Sequence, residues 1–363
     1  MAQVTLFIVF FFISLINLKV DTEGAQLAPA AFIFGDSLVD VGNNNYLKLS
    51  LAKADFPHNG VDYPGQKATG RFCNGKNAAD FLAEKLGLAS PPPYLAVKSM
   101  PNKSEIYLTG VSFASGGAGI FNGTDDLYKQ SIPLTKQVDF YISVYQDLVQ
   151  NLGSTEAQNR LSKSIFTIVI GSNDVFGYVS SDSSLGKNST PQQYADSMTS
   201  SLKDQLKRLH GAGARKFVVS GVGAVGCCPS QRLKNKTQEC NADANNLAQL
   251  YNADLKPMLQ GLKTELGDIS YSYFDAYGVF QTFLQTPAKY GFTETKAACC
   301  GLGTLNAKVA CLPISSYCSD RDDHVFWDLY HPTQAAASIL ADDIFDGTSQ
   351  YTYPVNAREL VAV

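Results

Sequence analysis

The sequence predicts an α/β fold in which a parallel sheet lies under helices on both faces. Short apolar runs of strand length alternate with segments of helical spacing, the order expected of βαβ units. Glycine and small polar residues follow the strand-like runs. That punctuation therefore gathers on one edge of the sheet, where open α/β sheets bind ligands. No repeat, composition break or linker divides the chain, so a single domain over residues 25–363 is expected behind a leader at 1–24.

The leader is apolar from Val4 to Ile16, and the small residues Gly24 and Ala25 follow. It has the length of a signal peptide and is too short for a comfortable membrane span. The first strand is expected at 30–34 (Ala-Ala-Phe-Ile-Phe), stopped by Gly35 and followed by Asp36 and Ser37. Glycine permits a sharp turn, and Asp and Ser open or cap helices. Ser37 is thus placed at the carboxyl end of a central strand, beside a helix N-terminus.

The Gly-Asn tract at 41–46 and the Gly/Asn/Pro-rich segment 58–75 read as turn and surface loop. Helical spacing over 77–87 closes at Gly87, and Pro91, Pro92 and Pro93 then forbid helix or central strand. A second strand is expected at 111–114, running into Ser115-Gly116-Gly117-Ala118-Gly119, and a helix at 132–151. The third strand, 165–170, ends in Gly171-Ser172-Asn173-Asp174. Thr190-Pro191 opens a helix whose stripe is Tyr194, Met198, Leu202, Leu206 and Leu209, ended by Gly211. Strands at 216–220 and 269–274 flank a long helix near 240–265, residues 297–320 read as loop, and a helix follows Thr333.

Composition narrows the function. Apolar residues make up 45% of the 363-residue chain and charged residues 17%, so it is globular. The net charge of −4 leaves no basic footprint for nucleic acid or an anionic membrane, and no stable membrane insertion is expected. Asn-x-Ser/Thr sequons at Asn102, Asn122, Asn188 and Asn235 agree with export. The eight cysteines include no Cys-x-x-Cys pair, which argues against zinc. In an oxidising compartment they should form disulfides, with Cys228 to Cys240 and a local cluster over 299–318 expected.

A serine becomes a useful nucleophile only when a base removes its proton and a third group orients that base. Four histidines are available: His58, His210, His324 and His331. His331 has the best setting, because Pro332 follows it and Asp328 lies three residues before. Asp328 could instead merely cap the helix beginning near Thr333. His210 ends a helix after Lys207 and Arg208, a structural position, and His58 and His324 lie in polar surroundings that suit solvated side chains. Asp36 and Asp275 are rival carboxylates at strand ends. Ester cleavage also needs donors for a developing oxyanion. The backbone N–H groups of Ser37 and Gly117 and the side-chain amide of Asn173 suit that role, with Gly116 as a neighbouring alternative to Gly117.

Gly-x-Ser-x-Gly is absent, so the nucleophile elbow of the α/β-hydrolases is not supported. Phe34-Gly35-Asp36-Ser37-Leu38 with Asp40-x-Gly42-Asn43-Asn44-Asn45, then residues 113–119, Ile170-Gly171-Ser172-Asn173-Asp174 and Asp328-x-x-His331-Pro332-Thr333 form four ordered blocks. In order and spacing they resemble the plant GDSL esterase/lipases of the SGNH hydrolase superfamily. The resemblance implies a three-layer α/β/α, flavodoxin-like fold and a triad of Ser37, Asp328 and His331. It also implies an oxyanion hole at Ser37, Gly117 and Asn173, and neither metal nor cofactor. The expected activity is hydrolysis of small-molecule, lipid or polysaccharide esters through an acyl-enzyme. Acyl transfer from the same intermediate, or a silent binding protein on the same fold, are the alternatives. The loops 46–75, 98–108 and 120–135 are expected to shape the acyl pocket.

Overall fold

A computed structural model describes residues 26–363 except 125–127 and 181–185. The expected leader lies outside the described residues. Four parallel strands form the sheet: β1 (Ala31–Gly35), β2 (Ile165–Val169), β3 (Lys216–Ser220) and β4 (Ser270–Phe274). They pair in that order, with Ala31 opposite Ile165, Ile165 opposite Lys216 and Lys216 opposite Ser270. A short antiparallel strand, β5 (Thr352–Tyr353), closes the β4 edge. Two residues are too few to carry an alternation, so nothing in the sequence marked it.

β1 to β3 are buried on both sides, which is why their centres read as apolar runs, whereas β4 (Ser-Tyr-Ser-Tyr-Phe) alternates serine with tyrosine. Side chains alternate between faces. Phe32 and Phe34 of β1 join Phe166, Phe217 and Tyr273 in one core, while Ala31 and Ile33 join Ile165 and Val218 in the other. Each fully buried Phe of this kind is worth about 1.5–3 kcal/mol.

Helix α1 (Ala78–Lys85) starts at an Asn77–Asp80 capping box. Helix α2 (Leu134–Leu152) covers the first core with α4 and α5, after α3 (Ser172–Ser180) has followed β2. Here α4 is Pro191–Gly211, opened by a Thr190–Gln193 capping box, and α5 is Ala242–Leu266, capped by Asn241. On the other face α6 (Ala276–Gln285) and α7 (Gln334–Asp346) pack with α1. The α/β layering with a mostly parallel central sheet is thus as the sequence predicts. Among the described residues no helix is long and apolar enough to cross a membrane.

Several local expectations need correction. Segment 111–114 runs parallel beside β1, and Phe113 N–H donates to Ile33 O at 2.7 Å. It forms only isolated bridges, because Pro93 and Ile33 both pair with the single residue Ser112. No helix begins at Ser37: a turn leads to a 3-10 helix at Asn43–Tyr46. The segment 58–75 is partly interior. Arg71 is buried and grips Asp80 through two contacts of 2.6 and 2.7 Å, tying that segment to α1. Residues 297–320 are not all loop. Cys300–Gly301 pairs with Ser316–Tyr317, and Glu294–Ala298 with His324–Phe326.

Disulfides join Cys227 to Cys240, Cys299 to Cys318 and Cys300 to Cys311. The expected partner of Cys240 was one residue off. Cys228 has an extended backbone, so its side chain turns away from that of Cys227 and meets the Ser230 hydroxyl at 3.3 Å. Cys228 and Cys73 are buried free thiols.

Candidate active site

Ser37 stands one turn past the end of β1. The turn needs glycine: Gly35 has φ +158, and a Cβ there would lie 2.2 Å from the Val169 carbonyl oxygen. Gln137 of α2 brackets this residue. Gly35 N–H donates to its Oε1 at 2.9 Å, and its Nε2 donates back to Gly35 O at 2.8 Å. Asp36 N–H donates to Val169 O at 3.1 Å, holding the turn against β2.

Asp328 and His331 arrive on a loop that follows the short strand His324–Phe326. Trp327 N–H donates to His331 O at 2.7 Å and closes the loop. Asp328 Oδ1 accepts the Tyr330 and His331 N–H groups, both at 2.9 Å. The same carboxylate lies 2.7 and 2.8 Å from His331 Nδ1, and His331 Nε2 lies 2.7 Å from Ser37 Oγ. With Nδ1–H donating to the carboxylate, Nε2 presents its lone pair to the serine O–H. Phe72 lies over the imidazole with ring centroids 5.0 Å apart. Asp328 does not cap α7; Thr333 does, accepting from Ala336 N–H at 3.2 Å.

The three expected donors also converge on the cavity that Ser37 lines. Gly117 has φ +80, a left-handed conformation suited to glycine. Among the described residues its N–H and that of Ser37 meet no acceptor, whereas Gly116 N–H is taken by Asp40 Oδ2 at 2.9 Å. Asn173, in the first turn of α3, donates one amide proton to Ala118 O at 2.9 Å and keeps the other.

Around these groups lies a buried polar frame, of which Asn43 and Asn44 read in the sequence as turn formers. Asp40 accepts from the Gly42, Asn43 and Gly116 N–H groups at 2.7, 2.8 and 2.9 Å. Asn43 donates to Ser112 O and Ala114 O, both at 2.9 Å, and Asn44 to Ala52 O and Gly116 O at 2.7 and 2.8 Å. Asp174 accepts from Ile120 N–H at 2.9 Å and Thr124 Oγ1 at 2.7 Å. These side chains stitch the strand-end loops together. Gln137 left a legible signal, being a polar residue between Leu134 and Val138 on the buried stripe of α2.

Burial raises three carboxyls in this frame. It pushes Asp36 up to about 7, and Asp40 and Asp174 each up to about 6, backbone hydrogen bonds opposing it in every case. Asp36 Oδ1 accepts from Leu38 N–H at 3.0 Å, while its Oδ2 is buried with no partner among the described residues. Asp275, the other rival, caps α6 through Gly278 N–H. The remaining histidines lie elsewhere. His210 meets Asp268 at 2.7 Å, and His324 contacts Asp323. His58 is less solvated than expected: its ring lies 4.8 Å from that of Tyr317, and its Nε2 is buried.

The cavity has a volume of about 680 Å³. Leu51, Phe56 and Phe72 from the first expected loop line it, as do Gly123 and Tyr128 from the third. Residues 98–108 contribute nothing, because Lys103–Tyr107 forms a helix that packs against α2.

Comparison with known proteins bears on this geometry. The family model described as GDSL-like Lipase/Acylhydrolase matches residues 32–344. A GDSL esterase/lipase of Arabidopsis thaliana is 49% identical over 368 residues, covering 99% of this chain and 97% of its own length. Two further GDSL esterase/lipases of the same plant are 41% and 38% identical, over 98% and 89% of this chain and 97% and 90% of theirs.

Proposed function

The chain belongs to the GDSL-like lipase and acylhydrolase family and is a carboxylic ester hydrolase, and we propose that it works by a Ser37–His331–Asp328 triad through an acyl-enzyme. The observation that carries this reading is the unbroken line of contacts from Ser37 Oγ to His331 Nε2 and from Nδ1 to Asp328. Ser37 Oγ attacks the ester carbonyl carbon while its proton passes to His331 Nε2. The imidazolium is held in place and stabilised by Asp328. The oxyanion accepts hydrogen bonds from Ser37 N–H, Gly117 N–H and Asn173 Nδ2.

Collapse of the tetrahedral intermediate breaks the C–O bond, and the departing alkoxide takes the proton from His331. Water then gives a proton to His331 and attacks the acyl carbon, releasing the acid and restoring the Ser37 hydroxyl. The chemistry uses groups of this chain and water alone.

Residues 1–24 act in this reading as an export signal, leaving a single catalytic domain over 25–363. Three disulfides suit an oxidising compartment. Asn102, Asn122 and Asn188 are exposed and Asn235 is half-buried in a turn, so all four are proposed glycan acceptors. Ser37→Ala tests the mechanism. It should lower p-nitrophenyl ester turnover by at least about 10⁴-fold with an unchanged Tm. Activity within tenfold of the parent would remove Ser37 from the chemistry.

A further inference from the structure

The cavity that holds Ser37 has a polar wall that the triad does not use. Gln231 and Lys234 line it from the short helix Pro229–Lys234, three residues apart and so on one helical face. Proline opens that helix, and Ser230 N–H donates to Leu329 O at 3.0 Å, tying it to the loop that carries Asp328 and His331. Behind it stands the Cys227–Cys240 disulfide. The buried Arg232 fixes the backbone further, its Nε and Nη1 donating to Cys227 O and Gln238 O at 2.8 and 2.9 Å.

Gln231 is 2% exposed. Its Oε1 accepts from Asn241 Nδ2 at 3.1 Å, which orients the amide and leaves Nε2 with no acceptor among the described residues. Lys234 is exposed where it leaves the helix, and half-buried Lys53 lines the cavity from the segment after Leu51. Neither ammonium forms an ion pair among the described residues, although seven other lysines do. The carboxyls of the lining belong to the nucleophile. Asp36 precedes Ser37, and Asp328 is held by His331 and two backbone N–H groups. Thr124 and Ser180, also in the lining, already donate to Asp174 and Gly177 O at 2.7 and 3.2 Å. The Gln231 wall thus offers donors and positive charge with no open acceptor.

We propose that this wall binds a carboxylate carried by the ester substrate, with Gln231 Nε2 and Lys234 Nζ as its donors. The proposal rests on the hydrolase reading above and deepens it. A neutral carbonyl or hydroxyl would satisfy the amide alone, whereas an anion satisfies the ammonium as well. Two donors on one helical face also match the two oxygens of a carboxylate. The charge can sit on the acyl or the alcohol side of the ester, and the recognition chemistry is the same.

The test compares kcat/KM for charged and neutral esters of matched shape. On the acyl side the pair is p-nitrophenyl hydrogen adipate and p-nitrophenyl hexanoate; on the alcohol side it is 4-acetoxybenzoate and 4-acetoxybenzamide. In the parent enzyme one of the two charged esters should be preferred by at least about tenfold, and the arm that shows it gives the side. Added NaCl should compress the preference. Lys234→Glu, at an exposed position, should cut the charged-to-neutral ratio at least about tenfold, and Gln231→Met about fivefold. Lys234→Glu carries the test by itself should Gln231→Met fail to fold. A parent ratio within twofold of unity on both arms, or a ratio unmoved in Lys234→Glu, would overturn the site while leaving the hydrolase reading intact. Parent enzyme inert on all four esters would sink both together.

Discussion

Two histidines in this chain lie 2.7 Å from an aspartate carboxylate, and only one is placed to act as a base. His331 and Asp328 are nearly enclosed, with side chains 9% and 12% exposed, whereas Asp268, the partner of His210, is 54% exposed. The decisive difference is which nitrogen is used. His331 turns Nδ1 to its carboxylate and keeps Nε2 for Ser37. His210 spends Nε2 on Asp268, which Arg215 also holds at 2.6 Å. One pair has the geometry of the proposed base with its orienting group. The other is an ion cluster at the carboxyl end of α4, where a cation is favoured. A short His–Asp distance therefore says little until the second ring nitrogen is accounted for.

The largest predicted effect removes the proposed base. His331→Ala should cost about 10⁴-fold or more in kcat, and Asp328→Asn a similar factor, because an amide no longer fixes the tautomer. Steady-state kinetics on a soluble ester would show it. A loss of less than tenfold in either variant would erase the distinction between the two pairs.

Next comes the proposed oxyanion donor. Asn173→Ala should lower kcat by about 10²–10³-fold with little change in KM, since the contact forms in the transition state. A rise in KM at constant kcat would instead make Asn173 a substrate-binding residue.

The surroundings of the buried pair set a third, smaller effect. Burial raises Asp36 to about 7 and both Asp40 and Asp174 to about 6, above the ordinary value of 3.8. A carboxyl whose pKa is raised on folding favours the folded state while protonated. That contribution is fully present below pH 3.8 and is lost as pH rises through the folded value. Asp62, Asp268, Asp323 and Asp346, by contrast, are all held below the ordinary value, so they ionise before this window opens. Tm should therefore fall between pH 5 and pH 8, and Asp36→Asn should flatten the slope; an unchanged slope would show that Asp36 ionises at its ordinary value.

How much of this was legible follows the same contrast. Strands β1 to β3 were readable because both-sided burial leaves a largely apolar run ending near glycine, and β4 because its aromatic residues stop at Asp275. That Ser37, His331 and Asp328 come together was readable because few histidines compete and the spacing of the last two fits one turn. The frame was not readable. Asn43, Asn44 and Asp40 have the composition of an exposed turn, and only the long-range contacts to residues 112–116 make them interior. The Cys227–Cys240 pairing was missed for a related reason, since adjacent cysteines differ only in the direction of their side chains.

The smallest effect belongs to the exposed pair and gives the comparison its control. In Asp268, burial's upward pull is outweighed by His210 and Arg215, which hold the carboxyl below its usual range. Solvent screens that cluster, and Arg215 remains on Asp268 when the imidazole is gone. His210→Gln should therefore cost only about 0.5 kcal/mol of stability at neutral pH, the scale of a surface ion pair near a helix terminus. Its kcat and kcat/KM should match the parent, because His210 follows Leu209 at the far end of α4 from Thr190 and lines no part of the cavity. Urea unfolding and ester kinetics on the same preparation read both quantities. A tenfold fall in kcat at unchanged stability would mean that the ion cluster reaches the site through α4, and the two pairs would no longer be independent.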